Sequence, residues 1–277
     1  MDIYPIQTGT VRCKQFQLTG ASNNLSRIFQ ILFTQKWGEW MPTYCWLIKT
    51  KDELILVDTG ETAKIYNAGY LPKGGVYHKV VQTRIKRKEE IDHQLKNIGY
   101  ATKDINTIIF THLHGDHIGG LEHFSHCEML VSKAEYEMAV SGKGPGNGYF
   151  AHNWPAWFKP KLVEYEGRPE GVFAKSHLVI SDGSILIVPT PGHSAGHQSV
   201  ILKDGNLKYF VAGDLTYNIH TLRSEIPDVV LINKSSKKTV ATVHKYVKSN
   251  DCIYLSSHDW NVPRILKDKL TFNKYLS

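Results

Sequence analysis

Four side chains that can bind a metal ion lie within one short stretch of the sequence, 111-THLHGDHIGG-120. His112, His114, Asp116 and His117 fall within six consecutive positions, between an apolar run and a pair of glycines. Imidazole nitrogens and carboxylate oxygens are both ligands of zinc and similar metals. A single histidine here would be read as an ordinary surface residue, but a cluster of this density predicts a metal site.

The spacing within this stretch indicates how the ligands can divide. Alternate residues that leave a strand point to the same side, so His112 and His114 can face one metal. The chain then turns at Gly115, and Asp116 and His117 can face a second metal from the start of a helix. Two metals about 3.5–4 Å apart are the arrangement that binuclear hydrolases use to clamp an attacking hydroxide and its target. The stretch therefore favours a binuclear hydrolytic site.

Later parts of the chain offer further ligands at the ends of predicted strands. His193, Asp214 and His258 each follow an apolar run closely. Open α/β sheets usually build their sites at the carboxyl ends of strands, and an aspartate there can bridge two metals through its two oxygens, which suits Asp214. Each residue alone is weak evidence, because a lone histidine after a strand is usually structural. Together with the first cluster they predict a shared site.

Short β-rich runs alternate with helical patterns along the chain. Helices are predicted at 79–99, where apolar residues recur before Gly99, at 133–140 and at 239–249. Strands are predicted at 44–50, 54–60, 107–112, 128–132, 185–192, 199–203, 208–214 and 253–259. Strands interleaved with helices indicate an α/β layered domain. No repeat or composition break marks a boundary, so we expect a single domain over residues 1–277.

The composition is that of an ordinary globular protein, with 42% hydrophobic and 21% charged residues in 277. No apolar run approaches the roughly 18 residues that a membrane span requires. The N-terminal residues lack the apolar core of a secretory signal, so we expect a cytoplasmic protein without membrane association. The four cysteines are scattered without a C-x-x-C pair, which argues against disulfides and a cysteine-based zinc site.

The net charge of +7 is compatible with nucleic-acid binding but does not require it. The basic residues are spread out, with local clusters only at 84–90 and 234–238. The first cluster is followed at once by acidic residues, as on a solvated helix face. We therefore expect no nucleic-acid partner.

The series T-H-L-H-G-D-H, T-P-G-H-S-x-G-H, G-D and S-H resembles the motifs of the metallo-β-lactamase superfamily. The resemblance covers nearly the whole chain, from Leu54 to His258. It implies an α/β fold, a four-layer αβ/βα sandwich, with two divalent metal ions at one edge. Zinc is the first choice, although such ligands also accept iron, manganese or cobalt. The implied ligands are His112, His114 and His193 for the first metal, Asp116, His117 and His258 for the second, and Asp214 as the bridge.

Two further residues take roles from the same resemblance. The run 57-VDTG-60 matches an early motif of the superfamily. It implies that Asp58 orients the ligand loop, residues 111–120, which carries the first four predicted ligands. His197 is the second histidine of its motif and is interpreted as a residue that supports the ligands or as a structural residue, because His193 already fills the ligand position.

Tyr217, three residues after Asp214, narrows the resemblance. This spacing is similar to that of the N-acyl homoserine lactonases, which open the lactone ring of bacterial quorum-sensing signals. In that family the tyrosine reaches the substrate carbonyl. The resemblance implies that Tyr217 stabilises the oxyanion and that Asp116 passes a proton to the leaving alkoxide. The alternative for Tyr217 is a packed aromatic residue.

Other hydrolases of the same fold remain as alternatives. The first is another small-ester or thioester hydrolase of the hydroxyacylglutathione-hydrolase type, which shares the ligands but carries a longer basic C-terminal region. An RNA-processing nuclease is less favoured, because no long Gly-rich arm is present.

Two segments, near 20–42 and at 142–160, fit the alternation of strands and helices poorly. Their large apolar residues are Trp37, Trp40 and Met41 in the first, and Tyr149, Phe150, Trp154, Trp157 and Phe158 in the second. Loops of this kind usually cover a core edge, a partner or a substrate. Both segments are candidates for the wall that holds an acyl chain or for a homodimer interface.

Overall fold

The computed structural model describes residues 1–19, 26, 29–30, 33–72, 77–227 and 234–275. The chain divides into two units, residues 1–13 with 39–162 and residues 14–38 with 163–277. Each unit contains one mixed β-sheet with helices, which confirms the α/β class. The single domain over residues 1–277 stays a prediction. Among the described helices, none is long and apolar enough to cross a membrane.

The sheet of the first unit has seven strands, β1 (Asp2–Cys13), β2 (Met41–Lys49), β3 (Leu54–Val57), β4 (Val81–Arg84), β5 (Thr107–Ile109), β6 (Glu128–Ser132) and β7 (Lys161–Val163). Their order in the sheet is β4-β1-β2-β3-β5-β6-β7. Strands β4, β1, β2 and β3 pair antiparallel, whereas β3, β5 and β6 pair parallel. The carboxyl ends of these three parallel strands therefore share one edge of the sheet.

Short helices connect these strands. They are α2 (Tyr77–Val80), α3 (Ile91–Asn97), α4 (Gly115–Ile118) and α5 (Lys133–Val140), with 3-10 turns at Ala63–Tyr66, Arg87–Glu89, Thr102–Asp104, Leu121–His123, Pro145–Asn147 and Ala151–Asn153. Residues 45–48 of β2 and 55–57 of β3 are wholly buried, as expected for central strands covered on both faces. Ile91 and Leu95, four residues apart on α3, join the same core.

The elements of the second unit are α1 (Gln15–Thr19), β8 (His177–Leu178), β9 (Ile185–Pro189), β10 (Gln198–Asp204), β11 (Leu207–Gly213), α6 (Ile219–Ser224), α7 (Lys234–Ser249), β12 (Ile253–Ser256), α8 (Val262–Lys267) and α9 (Phe272–Tyr275). Its sheet has five strands in the order β12-β11-β10-β9-β8. Strands β11 and β12 are parallel, so they too end at a common edge. Helix α7 buries Val240, Val243 and Val247 at helical spacing in the core of this unit.

The predicted helix over 79–99 is wrong in its first half. Residues 81–84 form strand β4, whose Gln82 lies opposite Arg12 of β1. The 12-residue strand β1 was itself not predicted. The mixed apolar spacing of 79–99 suits a helix only weakly, and pairing with a distant strand overrides such a local preference. The strand at 128–132 and the helix at 133–140 are confirmed with their bounds.

The aromatic segment at 142–160 covers a core edge. Tyr149, Phe150 and Phe158 are buried, and the ring of Phe158 meets Phe110 edge-on with centroids 6.2 Å apart. Trp157, by contrast, is 40% exposed. Tyr149 and Phe158 therefore belong to the core of their own unit.

The segment near 20–42 falls partly outside the described residues, at 20–25, 27–28 and 31–32. Of its tryptophans, Trp37 lies under the ammonium group of Lys14, with the nitrogen 4.0 Å from the ring centroid. Trp40 contacts Arg12 and Arg84 in the first unit.

Candidate metal centre

Asp58 holds the ligand loop of the first unit at the shared edge of β3 and β5. It follows β3 directly, and its φ of 62° places it in the left-handed region, where aspartate is among the better-tolerated residues. Oδ1 accepts the Thr111 N–H at 2.7 Å, and Oδ2 accepts the Thr111 hydroxyl at 2.8 Å and His117 Nδ1–H at 2.8 Å. The predicted contact of Asp58 with the ligand loop is confirmed.

Burial and these hydrogen bonds have opposite effects on the pKa of the Asp58 carboxyl. Burial raises the pKa of the carboxyl, while the contact with His117 and the two donors of Thr111 lower it. Because the carboxylate only accepts, His117 carries its proton on Nδ1 and keeps the lone pair on Nε2. Asp58 thus selects the nitrogen that His117 can offer to a metal.

The same reasoning sets the tautomers of His112 and His114. The Thr111 hydroxyl already donates to Asp58, so His112 Nδ1–H donates to Thr111 Oγ1 at 3.1 Å. His114 Nε2–H donates to the Asn147 carbonyl at 3.0 Å. The remaining nitrogens, His112 Nε2 and His114 Nδ1, face each other at 3.0 Å.

Two lone pairs at this distance repel each other unless a cation binds them. Two imidazole nitrogens on one tetrahedral zinc, each about 2.0–2.1 Å from the metal, lie roughly 3.3 Å apart. The observed separation of 3.0 Å is close to that value. His112 and His114 therefore fit a shared metal ion, as their spacing predicts.

Asp116 and His117 lie on the four-residue helix α4. Both are buried, and Asp116 Oδ2 is 3.8 Å from His117 Nε2. The His117 ring centroid is 4.0 Å from that of His112. The structure thus brings together the four predicted ligands of the first unit.

The glycine pair after the ligands allows two segments to approach closely. The Gly119 N–H donates to the Gly60 carbonyl at 2.6 Å. A Cβ on Gly119 would lie 2.6 Å from that carbonyl oxygen, and one on Gly120 would lie 2.3 Å from Ile91 Cγ2. A side chain at either position would push the ligand loop away from the segment that carries Asp58.

Two acidic residues at the ligand loop were missed by sequence reasoning. Glu135 is fully buried on α5, and its Oε1 accepts the N–H of Leu113, which lies between two ligands. Glu61 is also buried, and its carboxyl accepts the Thr62 N–H at 2.9 Å and the Thr83 hydroxyl at 3.2 Å. Burial, with a smaller contribution from Asp116, raises the pKa of Glu61 to about 8. Neither glutamate belongs to a recognisable motif.

Aromatic residues of the segment at 142–160 line the same loop. The Tyr149 ring lies 5.0 Å from the His114 ring, centroid to centroid. A Cβ on Gly115 would lie 3.1 Å from the Phe150 ring. Whether the segment forms the wall for an acyl chain or a homodimer interface stays a prediction.

In the second unit, Asp214 lies between two histidines at the common edge of β11 and β12. His258 Nε2 is 3.1 Å from Asp214 Oδ1 and 3.2 Å from Oδ2, and His193 Nε2 is 3.5 Å from Oδ2. Two imidazoles around one carboxylate are a donor set that suits zinc and similar metals. The three predicted ligands of this unit are therefore also neighbours.

His197 acts as a support of Asp214. Its Nε2 accepts the Asp214 backbone N–H at 3.1 Å, so Nδ1 carries the proton and donates to Thr190 Oγ1 at 2.9 Å. Both ring nitrogens are engaged within the protein, which leaves none for a metal. These bonds support the interpretation of His197 as a residue that holds the ligand region in place.

Tyr217 lies beside the ligands of its own unit. Its ring centroid is 5.2 Å from that of His258 and 6.3 Å from that of His193, and the residue is 8% exposed. The position suits a phenol that serves these ligands, and the burial suits a packed aromatic as well.

The chain matches the family described as the metallo-beta-lactamase superfamily over residues 38–258. A probable metallo-hydrolase of Mycobacterium tuberculosis (strain ATCC 25618 / H37Rv) is 29% identical over 231 residues, which cover 79% of this chain and 71% of the relative. An N-acyl homoserine lactonase of Bacillus thuringiensis is 26% identical over 226 residues, which cover 79% of this chain and 82% of the relative.

A solved structure is similar over nearly the whole chain. It is an N-acyl homoserine lactone hydrolase with the product N-hexanoyl-L-homoserine bound at its catalytic metal center. The TM-score is 0.76 at 23% identity, with 95% of this chain and 94% of the other covered. At this identity the likeness establishes the fold.

Proposed function

The chain belongs to the metallo-β-lactamase superfamily, as a metal-dependent hydrolase with its fold, and on this premise we propose that it opens the lactone ring of N-acyl homoserine lactones. The observation that carries the lactonase proposal is Tyr217, placed three residues after Asp214 and beside the rings of His193 and His258. The lactonase of Bacillus thuringiensis, 26% identical, supports it.

We propose that the two ligand sets serve one binuclear centre, as the superfamily motifs imply. One ion would be held by His112, His114 and His193, and the other by Asp116, His117 and His258. Asp214 would contribute to both. Zinc is the first choice for this set of nitrogen and oxygen donors. Bound metal ions would supply Lewis acidity, which lowers the pKa of water and polarises an ester carbonyl.

The chain's own residues supply the remaining chemistry. Ring opening adds water across the ester bond: a bond forms to the carbonyl carbon, and the bond from that carbon to the ring oxygen breaks. The Tyr217 hydroxyl donates a hydrogen bond to the carbonyl oxygen as it gains negative charge. Asp116 takes the proton of the attacking water and passes it to the leaving ring oxygen. The products are a carboxylate and an alcohol.

The proposal keeps the substrate, the location and the partners that are expected from the sequence. The proposed substrate is a small molecule with an acyl chain. Tyr149 and Phe150, which lie against His114 and Gly115, are the proposed contacts of this acyl chain. The protein acts in the cytoplasm without nucleic acid or membrane, as a monomer or a homodimer.

The test measures the ring opening of short- and long-chain N-acyl homoserine lactones by zinc-loaded protein, with proton release as the signal. A panel of thioesters is assayed in parallel. We expect lactone opening that is lost in His112→Ala and falls about 100-fold in Tyr217→Phe, the usual effect of removing one oxyanion donor. Matched controls are His126→Ala, an exposed histidine, and Tyr275→Phe, a tyrosine on α9.

Three results would change the assignment. Thioester cleavage with unreactive lactones would leave a metal-dependent hydrolase of the hydroxyacylglutathione-hydrolase type. Full activity in Tyr217→Phe would make this residue a packed aromatic. Full activity in His112→Ala would refute the proposed metal ligands.

A further inference from the structure

A pocket of about 410 Å³ opens at the edge of the first unit's sheet, beside strand β4. Its volume lies within the range of small-molecule sites, about 300–1,000 Å³. None of the predicted metal ligands is among the residues that line it. The pocket is therefore a separate feature from the metal centre.

Strand pairing places two arginines on one wall of this pocket. Arg12 of β1 lies opposite Gln82 of β4, and Thr10 lies opposite Arg84. Residues 82 and 84 share a face of the strand, so Arg12 and Arg84 are diagonal neighbours on the same face of the sheet. The pairing thus brings two positive charges together.

Trp40 positions both guanidinium groups. The Cζ atoms of Arg12 and Arg84 lie 4.6 Å and 3.9 Å from the Trp40 ring centroid, within the range of cation–π contacts. Arg12 Nε–H also donates to Gln82 Oε1 at 2.8 Å. Arg84 is exposed and can be reached by a ligand. The rigid planar fork of a guanidinium suits carboxylate and phosphate oxygens.

The charge of this wall is not balanced by the rest of the lining. Among the described residues that line the pocket, none is aspartate or glutamate. Glu61 lies behind the wall, where its carboxyl accepts the Thr62 N–H at 2.9 Å and the Thr83 hydroxyl at 3.2 Å. The pocket is therefore cationic at one side.

The other side of the pocket is apolar. Ile65, Leu71 and Val81 contribute aliphatic groups, next to the indole of Trp40. A purely ionic ligand would leave this surface uncovered, and a purely apolar one would make no use of the exposed Arg84 guanidinium. We propose that the pocket binds a small amphiphilic anion, with a carboxylate or phosphate head on an apolar body.

The proposal does not depend on the lactonase assignment, although the pocket adjoins the ligand loop. Tyr77 lines the pocket, and its ring centroid is 5.1 Å from that of Phe150. Phe150 in turn lies against Gly115, between two predicted ligands. An occupant would thus be separated from the metal ligands by two aromatic rings.

The experiment is calorimetric titration of the metal-loaded protein with octanoate, octyl phosphate, inorganic phosphate and octanol. We expect octanoate or octyl phosphate to bind at least about tenfold more tightly than octanol, as one charge-assisted hydrogen bond provides. The tighter of the two identifies the head group. Arg84→Gln should raise the Kd about tenfold, Arg84→Lys should raise it less, and Lys79→Gln, an exposed charge outside the pocket, should leave it unchanged.

The controls separate this pocket from the metal centre. His112→Ala should leave the binding of the anion intact. Binding that is lost in His112→Ala and unchanged in Arg84→Gln would place the anion at the metals and overturn the proposal. Equal affinity for octanol, or for inorganic phosphate alone, would also overturn it, because the ligand would then not be an amphiphilic anion.

Discussion

Replacing Asp58 by asparagine tests whether this residue controls the metal-binding nitrogen of His117. Asparagine also tolerates the left-handed φ of 62°, so the backbone can keep its course. The amide oxygen can still accept the Thr111 N–H. The amide NH₂ group, however, would then face His117 Nδ1–H and the Thr111 hydroxyl, which both donate to Oδ2 of Asp58.

The magnitude follows from these two lost bonds. Hydrogen bonds to a charged group contribute about 1.5–3 kcal/mol each. Burial raises the pKa of Asp58, so the neutral amide recovers part of the cost of burying a carboxylate. We expect a net loss of about 1–3 kcal/mol in the free energy of unfolding. His117 can restore a hydrogen bond only by moving its proton to Nε2, which removes the lone pair that a metal needs. Zinc affinity should therefore fall about 10–100-fold.

Zinc affinity is measured by competition with a chromophoric chelator, and stability by urea unfolding of the metal-free protein. Asp52→Asn, an exposed aspartate in the turn before β3, is the matched control and should change neither quantity. A variant that is less stable but binds zinc as tightly as the parent would refute the role of Asp58 in selecting the tautomer. Its function would then be to hold Thr111 alone.

Two further changes test the supports of the ligand loop. Gly120→Ala places a Cβ 2.3 Å from Ile91 Cγ2 and should lower the free energy of unfolding by about 1–3 kcal/mol. Gly146→Ala is the control, because the space around Gly146 is open, and it should leave the free energy of unfolding unchanged. Equal urea midpoints for the two variants would contradict the close approach at Gly120. Glu61, with a native pKa raised to about 8 from 4.5, binds its proton more tightly when folded, so the stability that it contributes is present at low pH and is lost as the pH rises toward 8. The free energy of unfolding of Glu61→Gln minus that of the parent should therefore be larger at pH 9 than at pH 5, by on the order of a few kcal/mol. Urea unfolding of the metal-free proteins at the two pH values measures it. A difference that does not change with pH would contradict the raised pKa.

The residues that the structure brings together in each unit could be selected from the sequence as candidate metal ligands, because their chemistry is local. Imidazoles and carboxylates directly after apolar runs are unusual enough to be recognised, and the ends of parallel strands bring them together. The strand pairs β3–β5 and β11–β12 do this in the two units. The strand at 128–132 and the helix at 133–140 were equally local, and both are confirmed.

The pairing of β1 with β4 could not be predicted in this way. It joins residues about 70 positions apart, such as Arg12 and Gln82, and the periodicity of 79–99 points to a helix instead. The buried glutamates share this limit. Glu135 lies in a helical pattern with other charged residues, and its sequence has no signal that one of them turns inward. Only the tertiary contact with the Leu113 N–H gives it a role.

The tautomers of the ligand histidines show most clearly what the structure adds to the sequence. The motif gives the residue types, but an imidazole can offer either nitrogen. In the first unit, the choice follows from Thr111, Asp58 and the Asn147 carbonyl, which together direct the lone pairs of His112 and His114 toward each other at 3.0 Å. Asn147 belongs to the segment at 142–160, which does not match the motif series. A metal would meet nitrogens that are already oriented, so part of the ordering cost is met by folding.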